Sequence, residues 1–226
     1  MKPETTAVIL IGYQNDYFSP DGILYPVVEE SSRVTGTLDN TVALLDALAP
    51  TPALLIATPI IFTPDYSELE EPVGILASIK EAGAFKAGTQ GAETIEQLRR
   101  FGDRILQVPG KRGLNAFSNT ALDQILQDRH IEDVIIAGTV TSICIDSGGR
   151  AAHERGYRVT ILSDCISGRS NFEQDFYCEQ IFPLYARVIG HQTLLQEMAV
   201  PLTEQHTAAA TVSHSPISQT IDGNHE

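Results

Sequence analysis

The chain has no tryptophan, two methionines and three cysteines in 226 residues. Cysteines at 144, 165 and 178, odd in number and well spread, do not make a disulfide framework, so a reducing compartment, the cytoplasm, is expected. No apolar run reaches the roughly 18 residues of a membrane-crossing helix, and the opening MKPETTAVIL lacks the layout of a signal peptide. Basic residues are scarce: 15 Lys and Arg stand against 29 Asp and Glu, a formal charge of −14. A surface that acidic repels nucleic-acid phosphates and anionic membranes, which leaves a small molecule as the expected partner. Histidine is absent before residue 130, and the six present (130, 153, 191, 206, 214, 225) include no close pair at metal-ligand spacing. No metal or other cofactor is expected, and His153 and His191 read as surface residues.

What is present is an ordinary globular composition, 42% hydrophobic, in a length that suits one domain. Short apolar runs of buried-strand type occur at 7–11, 53–62 (with Pro59 at the end), 104–108, 133–137, 157–162 and 186–189. Helical spacing fills the gaps: 32–48, a turn or two at 92–100, a stretch from a cap at Ser118 or Asn119 to about 129, one after Cys144 that ends at Gly156, one over 171–184, and a last one to about 200. Residues 63–91 form a long excursion with one short helix, the expected lid or interface segment. Alternating strands and helices predict a doubly wound parallel α/β sheet of six strands, with helices on both faces, over residues 1–200. Residues 201–226 are polar and acidic, carry no Lys or Arg, and read as a disordered tail.

The stretch VIIAGTVTSICIDSGGRAAHERG, 134–156, places Cys144 where a central strand hands over to a helix. The unpaired N–H groups of a helix start favour negative charge, which suits a thiolate nucleophile and an oxyanion. A small buried hydrophobe is the competing reading of a free cysteine. Gly12 and Lys111 also fall at carboxyl ends of strands, where ligands of such sheets bind.

Three motifs carry a resemblance. They are Gly12-Tyr13-Gln14-Asn15-Asp16-Tyr17 after the first strand, KRGLNAF with Lys111 after the third, and Gly138-Thr139-Val140-Thr141-Ser142-Ile143-Cys144 after the fourth. In this order, over residues 6–196, the chain resembles the isochorismatase-like, or cysteine hydrolase, superfamily, with its nicotinamidases, carbamoylsarcosine amidases and isochorismatases. The resemblance implies that Cys144 attacks a carbonyl carbon, that Lys111 supports thiolate and oxyanion, and that a cis Thr139–Val140 peptide aims the N–H of Val140 alongside that of Cys144 as an oxyanion hole. It also implies a homo-oligomer, dimer or tetramer, whose neighbouring subunits cover the pocket. The first motif departs from the family's D-x-Q-N-D-F: Gly12 stands where the catalytic aspartate belongs.

Three explanations of Gly12 stay open: another carboxylate such as Asp16 substitutes, Cys144 and Lys111 suffice or substrate supplies its own group, or the chain is a relative impaired or altered at that position. Losing a general base costs about 10²–10⁴-fold. The expected function is a metal-independent cysteine hydrolase of a C–N, amide-type bond; a vinyl-ether hydrolase of isochorismatase type and a ligand-binding relative are the alternatives. Tyr13, Phe18, Phe62, Phe85 and Phe117 in edge loops, and Arg112 beside Lys111, are placed to line a substrate pocket or to pack among themselves.

Overall fold

The computed structural model describes residues 1–200; the tail expected over 201–226 lies outside the described residues. Six parallel strands form one sheet: β1 (Thr6–Ile11), β2 (Leu54–Thr58), β3 (Ile105–Gln107), β4 (Asp133–Thr139), β5 (Arg158–Ser167) and β6 (Arg187–Ile189). Their order is β3-β2-β1-β4-β5-β6, the doubly wound arrangement, with the direction of winding reversing between β1 and β4. All residues of β1, β2 and β4 are buried, which is why these segments read as continuous apolar runs rather than alternating ones.

The period of two survives inside those runs and builds two cores. Val8 and Leu10 face one layer with Leu44, Leu45 and Leu48, whereas Ala7, Ile9 and Ile11 face the other with Leu122, Leu126 and Ala152. The helix Thr37–Leu48 buries Thr41, Leu44, Leu45 and Leu48, one face at helical spacing. The single helix expected over 32–48 is two, Tyr25–Thr35 and Thr37–Leu48, broken at Gly36. The strand expected over 53–62 ends at Thr58, immediately before Pro59. The helix expected from Ser118 or Asn119 begins at Leu122, because the backbone of Asn119 is left-handed (φ 60°). β5 runs five residues past the expected 162 to Ser167, after a register irregularity opposite Ile136 and Gly138. A bulge of this kind hides from a pattern of simple apolar runs.

β1 and β4 approach so closely at their carboxyl ends that a Cβ on Gly138 would lie 1.8 Å from the Ile11 carbonyl oxygen. Only glycine fits there, and this contact brings the ends of the two central strands together.

Candidate active site

Beyond β4 the chain makes one wide π-type turn, Thr141–Ile145, before the regular helix Asp146–Glu154. Turns of this kind are frequent at functional sites. Cys144 sits in it and is 7% exposed. The Thr139–Val140 peptide is cis. The Val140 carbonyl accepts from the N–H groups of Ile143 and Ile145.

Lys111 lies beyond β3, in a short parallel bridge with Ile60. At 1% exposure it is among the most deeply buried side chains, a rare place for a lysine. Its Nζ donates to the Gly113 carbonyl at 2.6 Å and lies 3.6 Å from Cys144 Sγ. Among the described residues no carboxylate lies within ion-pair distance of it.

Gly12 closes β1 with φ 76°. A Cβ there would lie 2.9 Å from the Thr139 carbonyl oxygen, 3.1 Å from the Thr139 methyl and 3.5 Å from Tyr17 Cδ2. Gly12, Lys111, Thr139 and Cys144 line one small cavity, together with Tyr17, Ile60, Leu114 and Ile143. The helix Gly74–Ala82 roofs it through Ile75, Leu76 and Ile79. The free space between these side chains is on the scale of a single water molecule.

The loop after β1 is a clamp. Gln14 donates its side-chain N–H to the carbonyls of Ile60 and Ala92 at 2.9 and 2.8 Å and accepts from the Ile60 N–H at 3.0 Å. Asp16, 3% exposed, accepts from the Phe85 N–H at 2.6 Å. The Asp16 carboxylate is thus committed to holding residues 83–87 and does not line the cavity, so the structure gives no support to Asp16 as a replacement base.

Six residues placed at the pocket from sequence lie elsewhere. Tyr13 bonds Thr41 Oγ1 at 2.6 Å and the Cys165 carbonyl at 3.0 Å, and Phe18 stacks on its ring. Phe62 packs on Tyr66 and Phe85 on Tyr17, both inside the core. Phe117 packs on Tyr157 in the opposite layer. Arg112 turns to Glu68, with Nε 3.1 Å from Oε1. Edge-loop aromatics bury against one another, and the cavity is left to aliphatic side chains from a helix that no motif marks. Tyr17, the last residue of the first motif, lines the cavity, a place that the motif alone does not mark.

His191 is a further correction. It is buried, with Nδ1 2.7 Å from Asp164 Oδ2. Burial pushes the Asp164 carboxyl up, but the side-chain and backbone N–H groups of His191 bond its charged form and hold it below its ordinary value. Asp164, Cys165 and His191 also form the one cluster among the described residues whose ligand atoms come within metal-binding reach of one another. The carboxylate there already accepts from His191 and from the Cys165 thiol at 3.6 Å. Burial pushes the Cys165 thiol well above its usual value, as it does that of Cys178, to about 12.

Known proteins agree with this architecture. A ureidoacrylate amidohydrolase of Rhizobium rhizogenes is 27% identical over 176 residues, 73% of this chain and 71% of that protein. The maleamate amidohydrolase of Pseudomonas putida is 22% identical over 197 residues, covering 85% of this chain and 86% of its own length. The crystal structure of a cysteine hydrolase from Pseudomonas syringae pv. phaseolicola superposes with a TM-score of 0.76 at 23% identity, over 88% of this chain and 94% of that one, which shows a shared fold. The isochorismatase domain model matches residues 6–193, and the chain belongs to the isochorismatase family.

Proposed function

We propose that the chain is a cysteine hydrolase that cleaves the C–N, amide-type bond of a small molecule, with Cys144 as nucleophile. The observation that carries this reading is the ammonium of Lys111, buried and without a carboxylate partner among the described residues, 3.6 Å from Cys144 Sγ. A buried charge is costly unless paired, and the nearest group able to carry the opposite charge is that thiolate. Thiolate and ammonium stabilise each other where the nucleophile is needed. The names of the relatives, ureidoacrylate amidohydrolase and maleamate amidohydrolase, support an amide as substrate.

In this mechanism the thiolate adds to the carbonyl carbon, and the N–H groups of Val140 and Cys144 receive the oxyanion. The C–N bond then breaks, the amine leaves with a proton from solvent, and water hydrolyses the thioester to return the thiolate. This mechanism calls on no metal, and among the described residues the Asp164–Cys165–His191 cluster is engaged in its own bonds and lines no part of the cavity. We assign Gly12 to the position of the family's aspartate. The Lys111 contact with the sulfur, rather than a carboxylate base, then supports the nucleophile. Entry of substrate requires the helix Gly74–Ala82 to withdraw, since its isoleucines and leucine close the cavity. The reading includes a homo-oligomer, which exposed apolar groups support, and a cytoplasmic location, which the three free cysteines support.

The test is alkylation of Cys144 by iodoacetamide at pH 7, read by peptide mass, in the unaltered chain and in Lys111→Met. Methionine keeps much of the volume and removes the charge. We expect the rate at Cys144 to fall about tenfold or more, while stability holds or rises by about 1 kcal/mol, because a buried charge has been replaced by an apolar group. Equal rates in the two proteins would sink the ion-pair reading.

A further inference from the structure

The short helix Asn171–Phe176 is turned opposite to what packing alone would choose. Its aromatic residues Phe172 and Phe176 are exposed, while Glu173 and Gln174 between them are buried. A surface helix ordinarily lays its apolar side on the core, and a buried carboxylate or amide is stable only where it finds partners. Here both find the turn that carries the nucleophile. Gln174 Oε1 accepts from the Thr141 hydroxyl at 2.6 Å, and its Nε2 donates to the Ser163 carbonyl of β5 at 3.0 Å. Glu173 Oε1 accepts from the Ser142 N–H at 3.4 Å and the Arg169 N–H at 3.3 Å, and its Oε2 accepts from Arg169 Nε at 2.7 Å. Ser170 caps the helix by accepting from the Glu173 N–H at 3.1 Å, which fixes where both side chains start. Neither Glu173 nor Gln174 lines the cavity.

The turn Thr141–Ile145 needs such a support. It is wound wider than an α-helix: the Val140 carbonyl accepts from Ile145, five residues on, as well as from Ile143. The first N–H groups of any helix start have no helical partner. Thr141 and Ser142 are therefore anchored from outside, just after the cis peptide, and Cys144 comes two residues later. Lys111 Nζ stands 3.6 Å from Cys144 Sγ, and attraction between the two weakens with every further displacement. We propose that Glu173 and Gln174 are positioning residues: they fix the start of the wide turn and so hold Cys144 within reach of Lys111. The proposal rests on the reading of Cys144 as nucleophile and adds to it two residues from a helix outside the three motifs. Gln174 carries the larger share, because its amide ties the turn to β5 with a good bond at each end. The Glu173 contact with Ser142 is long, and its partner Arg169 is exposed.

The test asks whether the bond between Thr141 and Gln174 acts through Lys111. Thr141→Val removes the hydroxyl and keeps the shape, and Gln174→Met breaks the same bond from its other side. Each change is made in the unaltered chain and in Lys111→Met, and the rate of iodoacetamide alkylation at Cys144 is read by peptide mass. We expect either change to lower the rate about fivefold in the unaltered chain and less than about twofold where Lys111 is already gone, since effects that run through one contact do not multiply. Thr141→Ser, which keeps the hydroxyl, should recover most of the rate lost in Thr141→Val. A role confined to stability gives equal factors in both backgrounds. That result, or a rate unchanged in the unaltered chain, overturns the positioning role while leaving the nucleophile in place. If Lys111→Met itself leaves the rate unchanged, the ion-pair reading falls and this inference with it.

Discussion

A lysine at 1% exposure and a glycine at a positive φ are the two residues through which this site departs from an ordinary sheet edge. Lys111 accounts for its own burial by what it touches, a carbonyl and a sulfur, and its chemistry follows from that short list. Gly12 accounts for its position by what it does not touch. The left-handed backbone disfavours any side chain, and a Cβ would press on the Thr139 carbonyl at 2.9 Å. Gly12→Ala should therefore destabilise the protein by about 1–3 kcal/mol, read by chemical denaturation, although one methyl group is all that is added. An unchanged midpoint would show that the loop relaxes freely. By the same argument Gly12→Asp, which would add a carboxylate at this position, should fold less stably than the unaltered chain.

Among the elements, the helix Gly74–Ala82 roofs the cavity. It inserts Ile75, Leu76 and Ile79 over the cavity, and Ile79 is itself part of the core at 3% exposure. Leu76 is only partly buried and packs against that core from outside. Leu76→Ala should open a path to Cys144 and raise the rate of iodoacetamide alkylation several-fold, with a modest loss of stability, because the side chain closes the cavity more than it anchors the helix. Ile79→Ala, by contrast, should cost about 2–4 kcal/mol in denaturation. An alkylation rate unchanged by Leu76→Ala would mean that reagent enters by another route. The excursion that carries this helix is held at both its flanks by the loop after β1, through Gln14 to Ile60 and Asp16 to Phe85. Gln14 and Asp16 of the first motif thus clamp the segment that carries this helix.

For the whole molecule, the apolar surface matters more than the charge. Phe172 is 78% exposed and Leu184 75%, and the rings of Phe172 and Phe176 stack at 6.0 Å between centroids. Phe172, Phe176 and Leu114 border a groove together with Ile75 of the helix Gly74–Ala82 and Ile143, next in sequence to Cys144. Exposed large apolar groups that adjoin one another mark interaction surfaces. If a second copy of the chain covers this groove, sedimentation equilibrium should report a dimer or larger assembly, and Phe172→Glu should shift it toward monomer at equal concentration. A monomer at micromolar concentration would refute the oligomer. Among the described residues no helix is long and apolar enough to cross a membrane.

By itself the sequence determined the class of fold. Buried parallel strands must be apolar on both faces, so runs such as those ending at Ile11 and at Gly138 announce themselves, and Gly12, Lys111 and Cys144 follow at the strand ends where ligands bind. Only the tertiary structure decided what surrounds the sulfur. Lys111 and Cys144 are 33 positions apart, and their contact depends on how β1 and β4 close at Gly138. Whether Phe62 and Phe85 face a pocket or each other's neighbours, whether His191 meets water or Asp164, and whether three aliphatic residues of a surface helix roof a cavity are questions of which element packs where. Burial is a property shared between partners, and a local pattern of residues names only one of them.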